Sequence, residues 1–234
     1  MIDARHKGLF SCNDLMRVEG GSGWVLVLDG QLNFETGGCA HGAVFDASTE
    51  ASNRLLGVDH AYVIGIRFRP GAQVRFSRAP ATDYRCSHLP LADAGVDAPP
   101  ILSALRHTLS WEAQVSILNH WLMDLMRRPT DSDMVMQHVI GLIFNNSVPL
   151  PVGQLCAASG WSERQLQRKF NSVVGLSTYR LGKIARANSA LRQIKINRNA
   201  PVKLSEVAVN HGYFDHAHMT RDFHELFRLP PSSF

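Results

Sequence analysis

The chain predicts an α+β protein of two domains. A β-rich, sandwich- or barrel-like N-terminal part carries helices behind it. The C-terminal part is all-α, with two helix-turn-helix units joined by a long helix. Three observations lead there. Hydrophobic alternation with turn dipeptides fills the first hundred residues and then gives way to helical periodicity. One local pattern occurs twice, about fifty residues apart, in the last third. Charge divides the same way: residues from Asp131 onward carry 12 Lys plus Arg against 7 Asp plus Glu, and the first 130 carry 12 against 13. The expected boundaries are 1–98 (β-rich), 99–130 (helical connection) and 131–234 (double helix-turn-helix).

In the first part, Trp24 to Leu28 reads as a strand ending in the turn dipeptide Asp29-Gly30. Gln31 to Phe34 is its expected hairpin partner, and Gly37-Gly38 closes that pair. A further strand runs from Tyr62 to Phe68 and stops at Arg69-Pro70-Gly71-Ala72. The four cysteines, Cys12, Cys39, Cys86 and Cys156, show no CxxC pair and read as reduced thiols of a cytoplasmic protein. Cys39 and His41 offer two metal donors where zinc needs three or four, and His60 and His88 do not complete them at short spacing. No metal, cofactor or catalytic site is expected. No signal peptide or transmembrane run is visible.

From Pro99 the pattern is helical. Ile101, Leu102, Leu105 and Leu109 follow one face, and Val115, Ile117, Leu118, Trp121, Leu122, Leu125 and Met126 a second. These helices can pack on the β-domain, pair with a second subunit, or both. Arg127-Arg128-Pro129 ends the run, and Thr130 to Asp133 suits an N-cap. Met134 to Asn146 is then amphipathic through Val135, Val139, Leu142 and Ile143.

The repeat follows. Its first copy has Leu155, Cys156, Gly160 and Trp161, then Leu166, Arg168 and Phe170; its second has Val207, Ala208, Gly212 and Tyr213, then Met219, Arg221 and Phe223. From the glycine, the apolar–Arg–Phe trio falls at +6, +8 and +10 in the first copy and at +7, +9 and +11 in the second. The second turn is therefore one residue longer. A glycine ending a short helix takes the left-handed conformation without steric cost, and a small residue four positions earlier lets the next helix cross closely. In the first copy Leu166, Phe170 and Val173 share one helix face, and Arg164, Gln167, Arg168 and Asn171 the other. That outward face, free of acidic residues, suits a major groove, where Arg reads guanine and Gln adenine. Between the copies, Leu176 to Ile196 is helical, with Leu181, Ile184, Ala185, Leu191 and Ile194 inward and Arg180, Lys183, Arg186, Arg192 and Lys195 elsewhere. Its length of roughly 28 Å approaches the ~34 Å turn of B-DNA, so two heads can meet successive major grooves.

The segment Leu155-Cys156 through Gly160-Trp161-Ser162, Leu166-Gln167-Arg168 and Phe170 closely resembles the AraC/XylS-type DNA-binding domain. So do Gly175-Leu176-Ser177, Tyr179-Arg180, Gly212-Tyr213, Asp215-His216-Ala217-His218-Met219, Arg221, Phe223 and the close Phe227 to Phe234. Gly65-Ile66-Arg67-Phe68-Arg69-Pro70-Gly71-Ala72, with Leu89 to Asp93, resembles the N-terminal module of one subgroup of these regulators. The resemblance implies a cytoplasmic transcription regulator, an activator rather than a repressor, acting on promoter DNA with RNA polymerase as a partner and as a homodimer. It places base-facing positions at Arg164, Gln167 and Arg168, and in the second unit at His216, Ala217, Thr220 and Arg221. Arg168 and Arg221 serve equally as phosphate clamps or ion-pair partners. A small-molecule effector is expected at the N-terminal module. Arg67 and Arg69 there hold either an anionic ligand or a local structural pairing.

Departures from the family pattern are Cys156 for the usual Ala, Arg228 for the usual Gly, and a chain end at Phe234 where relatives continue. Arg228 is expected to reshape the last turn. Two other functions fit the sequence: a DNA-targeted enzyme with a β-barrel catalytic domain, and a regulator whose N-terminal domain only pairs subunits.

Overall fold

The computed structural model describes residues 15–16, 18–34, 39–40, 42–47, 50, 53–54, 61–77, 80–84, 88–146, 148–196 and 203–234. Its N-terminal strands are β1 (Leu15–Met16), β2 (Gly23–Asp29), β3 (Leu32–Asn33), β4 (Cys39–Ala40), β5 (Ala43–Asp46), β6 (Asn53–Arg54), β7 (Tyr62–Arg67) and β8 (His88–Pro90). A four-stranded antiparallel sheet has the order β7-β2-β5-β8, and β1–β6 and β3–β4 form two short pairs. β2 sits at the centre because its side chains are apolar on both faces. Trp24, Leu26 and Leu28 point into the main β-domain core, and Val25 and Val27 into a smaller cluster with Leu32, Phe34, Val44 and Val63.

The expected hairpin across Asp29-Gly30 does not form. Both edges of β2 are taken by β5 and β7, so the chain after Gly30 crosses to the other face. There Leu32 and Phe34 cover Val25 and Val27, and β3 pairs with β4 instead. Gly37-Gly38 lies outside the described residues, as do Cys12, His41, His60 and Cys86, and the side chain of Cys39.

Helices α1 (Pro99–Arg106) and α2 (Trp111–Leu125) pack on the sheet. Ile101, Leu102, Leu105, Leu118 and Leu122 join the core of Trp24 and Phe45, and Trp121 lies 5.3 Å from the Trp24 ring. Leu109, expected on the first helical face, is 95% exposed. The helix stops earlier because His107 and Thr108 turn their side chains back to the carbonyls of Ser103 and Ala104. Ser110 then caps α2.

The C-terminal helices are α3 (Asp131–Asn145), α4 (Val152–Ser159), α5 (Glu163–Val174), α6 (Thr178–Ile196), α7 (Leu204–Asn210) and α8 (His216–Phe227). Thr130 caps α3 in a reciprocal box with Asp133. Its buried stripe is Met136, Val139, Ile140 and Ile143; Val135 and Leu142 are only half-buried, a shift of the expected face. Leu166 and Phe170 of α5, Leu181, Ile184 and Leu191 of α6, and Met219 and Phe223 of α8 meet in one core. Among the described residues, no helix is long and apolar enough to cross a membrane.

A seam joins the two cores. Val18 is fully buried in the helical core, and its carbonyl accepts from Asn188 on α6. Pro70 accepts from Gln137 of α3, and Gly71 lies so close that an added Cβ would stand 2.8 Å from Ile140. Arg127 and Arg75 exchange hydrogen bonds across the connection, with Arg127 also donating to the Val74 carbonyl at 2.8 Å. The Arg-Pro-Gly-Ala stretch after β7 is thus a joint between the β-domain and the helices.

Candidate nucleic-acid interface

Each repeat folds as two short helices around a glycine in the left-handed region, Gly160 at φ 69° and Gly212 at φ 69°. In the first unit the Gly160 N–H closes on the Cys156 carbonyl at 2.9 Å, and Ser162 caps α5 in a box with Gln165. Cys156 is a free thiol, half-buried against the core. In the second unit the Tyr213 N–H closes on the Ala208 carbonyl at 2.9 Å, and Asp215 caps α8 through the His218 N–H. The helix boundaries therefore follow from the turn glycines and the capping side chains.

On α5 the expected reading residues Arg164, Gln167, Arg168 and Asn171 are all exposed on one side, opposite buried Leu166, Phe170 and Val174. The face is not wholly free of acid. Glu163 stands at its edge and accepts from the Gln167 amide at 3.0 Å, so Gln167 must exchange that partner for a base edge. On α8, His216, Ala217 and Arg221 are exposed and Thr220 is half-buried, its hydroxyl bonded to the His216 carbonyl at 2.9 Å. No ion pair of Arg164, Arg168 or Arg221 occurs among the described residues. The guanidinium groups face solvent at the mouths of two helix-turn-helix units, available to phosphate oxygens or guanine edges.

The two heads are held by different means. Gln73 of the β-domain, only 3% exposed, donates from its side-chain amide to the Val173 carbonyl at the C-terminus of α5. Ala81 stands beside the C-cap Gly175, where an added Cβ would lie 3.4 Å away. The second head is tied to α6 by charge. Buried Asp222 binds Lys183 at 2.9 Å and Arg186 at 2.8 Å, and Glu225 binds Lys183 and Arg180. Arg180 also donates to the Glu50 carbonyl of the N-terminal part. Burial pulls the Lys183 ammonium down, but the hydrogen bonds it donates to Glu225 and Asp222, with their charges, outweigh it and leave it above its ordinary value. Lys183 and Arg180 hold the Glu225 carboxyl below the usual range.

Arg180, Lys183 and Arg186 were expected only to lie outside the inward stripe of α6. Their pairing had a readable signal: cations three residues apart on α6 match acids three apart on α8. Gln73 left no such signal, because its partner lies 100 residues away. In the β-domain, Arg67 pairs with buried Asp46 and donates to the Gly21 carbonyl at 3.0 Å, and Arg69 is exposed. His88 also reaches Asp46, at 3.4 Å, and stacks on Phe34. An anion at Arg67 would have to displace Asp46.

Fold and site together define a protein with an α+β N-terminal part and a helix-turn-helix DNA-binding domain. A family model described as a helix-turn-helix domain matches residues 155–234, the stretch that carries the AraC/XylS-type resemblance. Solved structures of ToxT from Vibrio cholerae share the whole architecture. ToxT of strain O395 aligns with a TM-score of 0.52 at 12% identity, covering 96% of this chain and 93% of that one. The same protein bound to (E)-4-(8-methylnaphthalen-1-yl)but-3-enoic acid aligns at 0.54 with 10% identity, covering 96% and 94%. Unsaturated fatty acid bound ToxT of strain SCE256 aligns at 0.50 with 10% identity, covering 95% and 90%. No curated protein matches the chain in sequence.

Proposed function

We propose that this chain is a sequence-specific transcription regulator of the AraC/XylS type. It reads promoter DNA with α5 through Arg164, Gln167, Arg168 and Asn171, and with α8 through His216, Ala217, Thr220 and Arg221. The observation that carries this is the pair of exposed, arginine-bearing faces on two helix-turn-helix units. The 19-residue α6 between them spans roughly 28 Å, near one turn of duplex. Residues 1–98 form the control domain of the Arg-Phe-Arg-Pro-Gly-Ala subgroup, 99–130 its helical connection, and 131–234 the DNA-binding domain. The control domain takes an apolar organic acid, the ligand class named for the ToxT structures. The regulator acts in the cytoplasm as a homodimeric activator that engages RNA polymerase.

Selection of bound sequences from a random DNA pool by the full-length protein tests this. Two short blocks about one helical turn apart are expected. A pool that shows no enrichment, with or without a fatty acid, would sink the reading. Arg164→Ala should weaken operator binding by about 1–3 kcal/mol and relax preference at one base pair. An equal loss on every sequence would make Arg164 a phosphate contact.

A further inference from the structure

The two turns differ by one residue, and that residue is Phe214. After Gly160 come Trp161 and the cap Ser162; after Gly212 come Tyr213, Phe214 and the cap Asp215. An apolar residue just before an N-cap ordinarily packs on the fourth residue of its helix. Trp161 is so placed, and it packs against the core that holds Leu166. In the second unit the core-facing aromatic is Tyr213 instead, 4% exposed, edge-on to His218 and covered by the Arg186 guanidinium at 4.1 Å. Met219 is already fully buried. The extra residue is therefore turned outward, and Phe214 is 90% exposed.

The position of that ring selects its partner. A recognition helix meets base edges with its N-terminal residues, and Phe214 stands immediately ahead of them. Beside it on α8 are exposed His216 and Ala217. A phenyl ring gains nothing from a phosphate oxygen. Among the groups lining a major groove, the apolar one is the thymine C5-methyl, and Phe and Ala are side chains that contact it. Ala217 offers no hydrogen bond, so as a base-facing residue it too can only make apolar contact. Resting on the DNA-reading assignment above, we propose that Phe214 and Ala217 form an apolar reader of thymine methyl groups in the half-site of the second head. The first head, which exposes Arg164, Gln167, Arg168 and Asn171, reads by hydrogen bonds. The one-residue insertion thus gives the two heads different chemistries of recognition.

The test uses the full-length protein and its selected operator, with thymines of the second block replaced by deoxyuridine. That exchange removes the methyl and leaves pairing and the other groove groups intact. Affinity should fall about fourfold for each methyl buried. Phe214→Ala should lose most of the discrimination between the thymine and deoxyuridine operators, keeping only the part that Ala217 supplies, and Phe214→Leu should keep more of it. Because the ring is exposed, the thermal midpoints of both variants should match the parent. A specific operator indifferent to the exchange, or a Phe214→Ala protein as sensitive to it as the parent, would overturn this proposal alone. Failure to select any operator would overturn the DNA-reading assignment and this proposal with it.

Discussion

The two helix-turn-helix units share a plan and differ in what anchors them. The first reading helix leans on the β-domain: Gln73 holds the Val173 carbonyl, and Ala81 lies against Gly175. The second hangs from α6 on a cluster of five charged side chains, Arg180, Lys183, Arg186, Asp222 and Glu225. Apolar packing beneath each is equivalent, with Leu166 and Phe170 in one and Met219 and Phe223 in the other all fully buried. The same motif can thus be anchored to its surroundings through a backbone carbonyl or through charge. This chain uses one route per head.

The largest effect should come from breaking the charge route. Asp222 is 4% exposed and faces two cations whose side chains are 12% and 9% exposed. Asp222→Ala removes the carboxylate that pairs with Arg186 and leaves Lys183 with Glu225 alone, and a loss of about 3–5 kcal/mol in urea unfolding is expected. The damage should concentrate in the second unit, so footprints on the second block should vanish first. An equal loss in both blocks would mean that the heads are one cooperative body.

Next in size is the other route. Gln73→Ala removes the amide that satisfies the Val173 carbonyl and should destabilise by about 1–3 kcal/mol. Hydrogen exchange should quicken at the C-terminal turn of α5 and stay unchanged in α8. No change in α5 would refute the idea that the β-domain grips the first head.

The contrast also explains what was legible beforehand. Helix ends were readable because their causes are local: Thr130 and Asp133 lie three residues apart, and Gly160 ends its own helix. The unequal turns were visible as well, though not which residue would be turned outward. Strand partners were not legible, since β2 chooses β5 and β7 over the nearer Gln31–Phe34 segment by burial on both faces. The tie of Gln73 to the Val173 carbonyl was hidden for the same reason: the two lie 100 residues apart, and only the packed tertiary structure brings them together.

A smaller effect should sharpen the comparison at the helix ends. α5 stops at Gly175 with φ 77°, whereas α8 stops at Arg228 with φ 59°, the one non-glycine with positive φ among the described residues. The expected reshaping of that turn does not occur. Arg228 takes the left-handed cap itself, its N–H reaching the His224 carbonyl at 3.0 Å. A side chain in that region carries strain of roughly 1–2 kcal/mol, partly cancelled by the greater freedom of an unfolded glycine. Arg228→Gly should therefore raise the stability of the full-length protein by about 0.5–1 kcal/mol. A drop on substitution would show that Arg228 makes contacts worth more than its strain.

The smallest effect distinguishes the turns by pH. Where the first turn has Ser159 the second has His211, whose ring meets Gln193 at 2.7 Å. Burial, and then the charge of Arg192, lower its pKa below the ordinary 6.5. A histidine with a depressed folded pKa stabilises the fold above its unfolded value, and that contribution is lost as pH falls through the folded one. The second unit should thus loosen as pH drops below about 6.5, before carboxylates titrate, while the first stays intact. Glu225, also depressed, keeps its contribution until pH falls through its own lowered pKa. His211→Gln can retain a bond to Gln193 and cannot take up a proton, so the acid-induced loss of second-block footprint should shrink. If parent and variant lose both blocks together with the same pH profile, the turn plays no part in the acid sensitivity.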